Sequence, residues 1–251
     1  ADRRRRTCGP QSVRLTQREH NDAVTNTRAV LFDFSGTLFR LEEDDSWFAG
    51  IQVDEKAVDG HVQAELMRRL TAPTGASVDM DEDAHRAWTN RDLEPHLHRE
   101  AYLHVLRESG VADHHAKRLY DKVVDPASWT PYPDTATVLA GLHRQGIRTA
   151  VVSNIAFDIR PAFARLGIAD DVDEFVLSYE VGAVKPTAEI FQTALARVGV
   201  AAEDALMVGD SEEADGGAIA VGCRFALVDP MPTNQRPTGL IEAIENAGLA
   251  V

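Results

Sequence analysis

Cysteine is nearly absent from this chain: there are two in 251 residues, Cys8 and Cys223. A disulfide framework is therefore excluded, and a reducing, cytoplasmic setting is expected. Also missing is any apolar run near the roughly 18–20 residues that a membrane-spanning helix needs. Positive charge is scarce, with 26 Lys and Arg against 40 Asp and Glu and a formal net charge of −14. Phosphate backbones repel such a surface, which argues against nucleic-acid binding. A small anionic substrate stays open if the site itself carries a cation. No internal repeat or low-complexity tract occurs beyond one arginine run. What is present is 44% hydrophobic and 26% charged, an ordinary globular composition with length for one large domain, or one domain plus an insert.

The arginine run marks off residues 1–28. Seven arginines against three acids give this stretch a charge of +4, so the remaining chain carries −18. Large apolar residues are few here and no apolar stretch follows, so neither a twin-arginine nor a secretory signal is expected. The stretch reads as a disordered tail, with a basic docking arm as the alternative.

The next stretch organises the chain. Val30-Leu31-Phe32-Asp33-Phe34-Ser35-Gly36-Thr37-Leu38 is a β-forming apolar run that ends on a carboxylate and breaks at a glycine. In an open α/β sheet the ligand crevice lies outside the carboxyl ends of the strands. Asp33 there suits a nucleophile or a metal ligand, and Gly36 lets backbone N–H groups turn toward an anion.

Residues 40–130 then change character. Val58, Val62, Leu66 and Leu70 recur at helical spacing, as do Leu93, Leu97, Ala101 and Val105. Pro73, Gly75 and Gly110 punctuate them, and strand alternation is absent, so a helical insert is expected over 40–130. The core is then 29–39 plus 131–251. Within it strands are expected at Ile147–Val152, Glu174–Leu177, Ala205–Val208 and Arg224–Val228. Helices are expected from Pro133-Asp134 to Gly146, up to Leu166-Gly167, from Pro186 to Val198, near Ala214–Val221 and over Leu240–Ala247. With the first strand this is a Rossmann-like five-stranded parallel sheet carrying helices on both faces.

Four strand or loop ends carry polar groups that could converge: Asp33-Phe-Ser35-Gly36-Thr37, Ser153-Asn154, Lys185 in Val-Gly-Ala-Val-Lys-Pro, and Gly209-Asp210-Ser-Glu-Glu-Ala-Asp215. They supply a carboxylate, hydroxyl and amide donors, an ammonium and a second acidic pair. In order and spacing they resemble the haloacid dehalogenase superfamily, in its phosphatase-containing branch with an inserted helical cap, over residues 29–251. The resemblance implies a hydrolase of small phosphorylated metabolites that works through an aspartyl-phosphate and Mg²⁺. Asp33 would be the nucleophile and Lys185 the charge-offsetting lysine. Ser153 and Asn154, with Gly36 and Thr37, would hold the substrate. Asp33, the Ser35 carbonyl, Asp210 and Asp215 would hold the metal. Mg²⁺ takes oxygen ligands, and an ammonium offsets the repulsion between a carboxylate and a phosphate dianion.

The departure from that pattern is Ser35, where most phosphatases of the family have a second aspartate that protonates the leaving group. General acid–base catalysis is worth about 10²–10⁴-fold, or roughly 3–5 kcal/mol. Three outcomes follow: a phosphatase whose acid comes from the insert, water or substrate; a slow enzyme for aryl or acyl phosphates; or a catalytically impaired phosphate-binding or regulatory protein. Carbon–phosphorus and carbon–halogen cleavage also occur in relatives without that aspartate. The first uses a cap lysine, for which Lys56, Lys117 and Lys122 are the candidates; the second needs no metal, against the Asp210/Asp215 pair. The insert also holds seven histidines. His96/His98 and His114/His115 do not share a helical face, so chelation is not expected, although one imidazole could supply the acid. Trp88, Arg91, Arg99 and Tyr102 suit substrate contact, but core packing explains the two aromatics and solvent exposure the two arginines at least as well.

Overall fold

A computed structural model describes residues 27–42, 46–54, 56–71 and 79–251. The tail expected at 1–28 lies outside them except for its last two residues, as do Pro73 and Gly75. In chain order the elements are Ala29–Phe32 (β1), Phe39–Leu41 (β2), Gln52–Val53 (β3), Lys56–Ala57 (β4), Gly60–Thr71 (α1), Glu82–Thr89 (α2), Pro95–Glu108 (α3) and Asp113–Val124 (α4). They continue with Trp129–Pro131 (β5), Thr135–Arg144 (α5), Arg148–Ser153 (β6), Arg160–Leu166 (α6), Glu174–Leu177 (β7) and Ser178–Val181 (α7). Ala188–Val198 (α8), Ala205–Gly209 (β8), Arg224–Leu227 (β9) and Gly239–Asn246 (α9) complete them.

Strands β7-β6-β1-β8-β9 form a five-stranded sheet in that order, every neighbouring pair parallel. Parallel strands are covered on both faces, which is why they read as unbroken apolar runs. Alternate residues divide between two cores. Val30, Phe32, Val151 and Val208 face α5, α6 and α9 through Leu139, Phe163 and Ile244. Leu31, Ala150, Val152 and Met207 face α8 through Ile190, Phe191 and Ala194. The register Phe32↔Val151 and Phe32↔Val208 puts the carboxyl ends of β6, β1 and β8 side by side. Neighbouring strands lie about 4.8 Å apart, so side chains just past these ends are within reach of one another.

The local signals worked unevenly. Asp134 does not cap its own helix. Its Oδ2 instead accepts Leu240 N–H (2.8 Å) and Ile241 N–H (3.1 Å), so it caps α9. The helix expected over Ala214–Val221 is a 3₁₀ helix, Asp215–Val221. Gly216 and Gly217 are weak α-formers, and a Cβ on Gly217 would lie 2.6 Å from the Pro186 ring.

Between β2 and β5 the chain leaves the sheet, runs through α1–α4 and returns. Those two strands pair antiparallel, Leu41 opposite Trp129, as a stem at the root of the insert. The stem and the β3–β4 hairpin are strands of two or three residues, too short for any alternation to be read. The helices enclose a third core around Trp47, Leu66, Leu106, Leu119 and Val123. No described helix is long and apolar enough to cross a membrane.

Candidate active site

Asp33 leaves the end of β1 with its N–H still donating to Val208 O (3.0 Å), so the sheet itself aims its carboxylate. The next residue, Phe34, is buried among Phe39, Trp129 and Phe163 and pins the turn from below. Asp33 and Ser35 line the cavity above. The turn closes through Leu38 N–H to Phe34 O (3.0 Å) and Gly36 N–H to Phe39 O (2.7 Å). Gly36 has φ +81°, and a Cβ there would sit 2.3 Å from Asp210 Oδ2. Only glycine permits both that backbone and that approach.

Lys185 reaches this point from the loop after α7. Asn154, at the end of β6, holds the loop by a reciprocal pair: Lys185 N–H to Asn154 Oδ1 (2.7 Å) and Asn154 Nδ2 to Lys185 O (2.9 Å). The Lys185 ammonium then lies 2.5 Å from Asp33 Oδ1 and 2.6 Å from Asp215 Oδ1. Asp215 also accepts Ser211 N–H on Oδ2 (3.0 Å). It packs so closely on β8 that a Cβ on Gly209 would come within 2.1 Å of the same oxygen. Lys185 and Asp215 are 5% and 1% exposed, so this is a buried ion cluster.

Its electrostatics are unbalanced. Burial pushes the Asp33 carboxyl up to about 7; Lys185 opposes this, while Asp215 and Asp210 add to it. Burial, then Asp215, lifts Asp210 to about 6. For Lys185 burial alone would lower the pKa, but Asp33 and Asp215 outweigh it and hold the ammonium charged. Three carboxylates thus face one ammonium. Asp33, Asp210 and Asp215 each offer an oxygen within 4.8 Å of the others. An all-oxygen set with excess negative charge fits a hard divalent cation. None of the insert's described histidines belongs to a comparable cluster.

A cavity of about 300 Å³ opens above these carboxylates, between the sheet ends and the insert. Ser35, Ser153, Asn154 and Ser211 line the sheet side; Arg91, Asp92, His98 and Tyr102 line the insert side. The structure thus brings together Asp33, Ser35, Ser153, Asn154, Lys185, Asp210 and Asp215. Gly36 and Thr37, expected to touch substrate, do not line the cavity: the Gly36 N–H is committed to Phe39 and the Thr37 side chain is fully buried. Of the four insert residues considered for substrate contact, Arg91 and Tyr102 line it. Trp88 instead lies beneath Arg91, 4.4 Å from ring centroid to guanidinium carbon, and Arg99 lies over Tyr120.

Two residues carry weight that the sequence reading did not assign. Arg236, 6% exposed, donates to Gly36 O (2.7 Å), Asp229 O (3.0 Å) and Thr37 O, and stacks on the Tyr132 ring. It therefore clamps the nucleophile turn from the far end of the chain. No motif marks it; only its 200-residue contact reveals it. Asp92 is the other. The loop between α2 and α3 carries no local signal beyond its three charges, Arg91, Asp92 and Glu94.

The profile of the haloacid dehalogenase-like hydrolases matches residues 27–222. A glyceraldehyde 3-phosphate phosphatase of Methanopyrus kandleri is 32% identical over 196 residues, covering 75% of this chain and 77% of that protein. A ribulose-1,5-bisphosphate 5-phosphatase of Halopiger xanaduensis is 40% identical over 113 residues, 41% of this chain and 47% of that protein. The chain thus spans about half the length of that relative, and of a phosphoserine phosphatase of Thermus thermophilus, at 53%. Among solved structures, the L-2-haloacid dehalogenase from Xanthobacter autotrophicus aligns with TM-score 0.58 and 23% identity over 86% of this chain and 83% of that one. This is a likeness of fold.

Proposed function

The chain belongs to the haloacid dehalogenase-like hydrolases, and on that premise we propose that it is a phosphatase for a small phosphomonoester, with Asp33 as nucleophile. The observation that carries this reading is the Lys185 ammonium held 2.5 Å from Asp33 and 2.6 Å from Asp215, beside a third carboxylate. A carboxylate attacks a phosphate dianion only where positive charge offsets their repulsion, and Lys185 is buried at that spot.

In this reading Asp33 bonds to phosphorus, the ester P–O bond breaks, and the alcohol leaves. Water then hydrolyses the aspartyl-phosphate and returns Asp33 and inorganic phosphate. Lys185 holds charge at Asp33 and at the entering phosphoryl oxygens. The Ser153 hydroxyl, at the cavity wall, donates to one of those oxygens. Asn154 positions Lys185 through the backbone. Asp33, Asp210, Asp215 and the Ser35 carbonyl would hold Mg²⁺, which when bound supplies Lewis-acid polarisation of the phosphoryl group. Residues 40–130 serve as a cap over the core of 29–39 and 131–251, and their cavity-lining side chains choose the substrate. The named activities of the phosphatase relatives support the reaction class.

The test is a phosphomonoester screen with Mg²⁺, followed by acid quenching of turning-over enzyme. Phosphate is expected to stay covalently bound after the quench, and Asp33→Asn should abolish both turnover and label. A label that survives in that variant removes Asp33 from its role. A wild-type chain that turns over no phosphoester would instead be the impaired phosphate-binding protein that Ser35 allows.

A further inference from the structure

Resting on the phosphatase reading, we infer that Asp92, in the insert, is a catalytic residue: the general acid and base that Ser35 cannot be. It lines the same cavity as Asp33, Ser35 and Lys185, on the opposite wall, which is the side the leaving alcohol must occupy when Asp33 attacks from the sheet. Its position is fixed from the core. The Ser178 hydroxyl, fully buried, accepts Ile155 N–H (2.9 Å) and lies 2.5 Å from the Asp92 carbonyl. Ile155 directly follows Ser153-Asn154, so one hydroxyl ties the Asp92 loop to the strand end that faces the phosphate. An acid carried by the insert is thereby held in register with the sheet.

Chemistry excludes the other groups on that wall. Arg91 does not give up its proton. His98 has Nδ1 3.0 Å from the Tyr120 hydroxyl, and burial pushes its pKa down to about 3, so it stays neutral. Tyr102 is pushed above its usual value by burial and then by Asp92. Burial raises the Asp92 carboxyl, while Arg91 and Lys185 restrain the shift. A carboxyl that keeps its proton longer than usual is a better donor near neutral pH. Arg91, 3.7 Å away, stabilises the carboxylate left behind. The charged and titratable groups around it are Arg91 on its own loop, His98 and Tyr102 on α3, Lys185 on the core loop, and Asp33, Asp210 and Asp215 across the cavity.

The step balances as follows. As the Asp33 oxygen bonds to phosphorus and the ester P–O bond breaks, the leaving oxygen takes the Asp92 proton and departs as alcohol. Water then enters the position the alcohol vacated. It bonds to phosphorus, gives its proton to the Asp92 carboxylate, and releases Asp33 as phosphate leaves.

The experiment compares wild type, Asp92→Asn and Asp92→Glu on glycerol 2-phosphate, phenyl phosphate and p-nitrophenyl phosphate, with Mg²⁺. In Asp92→Asn, kcat/KM should fall about 100-fold or more on the alkyl ester and less than about 10-fold on p-nitrophenyl phosphate, whose leaving group needs little protonation. The same variant should give a burst of nitrophenolate and accumulate acid-stable phosphoprotein, because the base for the second step is gone. Asp92→Glu should recover part of the alkyl activity. The fall of wild-type kcat/KM on the alkyl ester at high pH should vanish in Asp92→Asn. Equal losses on all three esters without a burst would mean a structural role and overturn the inference, as would no loss at all. A wild type inactive on every ester would instead bring down the phosphatase reading on which this one stands.

Discussion

Lys185 is the residue whose removal separates the charges most sharply. Taking one partner from a buried ion cluster leaves the others uncompensated, at a cost of about 3–5 kcal/mol. Lys185→Met should therefore unfold at much lower denaturant than wild type. The loss should grow as pH rises above about 7, because Lys185 holds the buried Asp33 carboxyl down to about 7 in the wild type and without that ammonium the carboxyl keeps its proton to higher pH. A raised acid binds more protons in the folded state than in the unfolded one, so wild type and variant lose stability alike between about pH 4 and 7, and above about 7 only the variant goes on losing it. Unfolding of the metal-free variant at pH 5 and pH 8 tests this; equal destabilisation at both would refute it. His98 runs the other way in origin. Burial moves its pKa from 6.5 to about 3, so the folded state binds fewer protons and stability falls as pH drops from about 6.5 toward 3. The slope is at most about 1.4 kcal/mol per pH unit. His98→Phe keeps the ring contacts with Tyr102 and Phe157 and should flatten the pH 4.5–6.5 limb of a denaturation series; an unchanged limb would show that His98 does not set it.

At the scale of elements, the site depends on how closely two strand ends and their turns approach. Gly209, the last residue of β8, leaves room for Asp215 folding back from the 3₁₀ helix, and Gly36 leaves room for Asp210. A methyl at Gly209 must displace a carboxylate that is 1% exposed and bonded to Lys185 and Ser211. Gly209→Ala should cost about 1–3 kcal/mol, as overpacking does. It should also reduce turnover, because Asp215 drags Lys185 with it. Full activity with an unchanged melting temperature would contradict that packing. The stem of β2 and β5 links this region to the insert. Phe34 packs against Trp129 of β5 at 4.8 Å between centroids, so the turn bearing Asp33 and the root of the insert share one aromatic cluster.

For the whole molecule the dominant quantity is a charge of −14. A dianionic substrate approaching such a surface is repelled over distances comparable to the Debye length, about 10 Å at 0.1 M salt. At saturating Mg²⁺, kcat/KM should rise as ionic strength increases from low values, with kcat little changed. A fall in kcat/KM over that range would show that local cations, Arg91 and Lys185 foremost, set the field the substrate meets.

Much of the architecture was legible from one dimension because its causes are local. Runs such as Ala29–Phe32 and Ala205–Gly209 are apolar at every position since both faces are covered, and the strand at Glu174–Leu177 matches its expected bounds. Asp33, Ser153, Asn154 and Asp210 could be chosen in advance because each sits at or just past a strand end, and Lys185 and Asp215 because their place in the motif order marks them. Other features were invisible because their causes are distant in the chain. The strand order placing β1 between β6 and β8, the Asp134 carboxylate capping α9, Arg236 reaching back to Gly36 and Thr37, and Asp92 hung from Ser178 all join residues about 85–200 positions apart. Periodicity and caps report on a turn or two of chain. What by itself the sequence determined was the five strands of the main sheet, most of the longer helices and the chemical groups. Only the tertiary structure decided which groups meet, because convergence depends on packing two cores against one twisted sheet, and no window along the chain contains that.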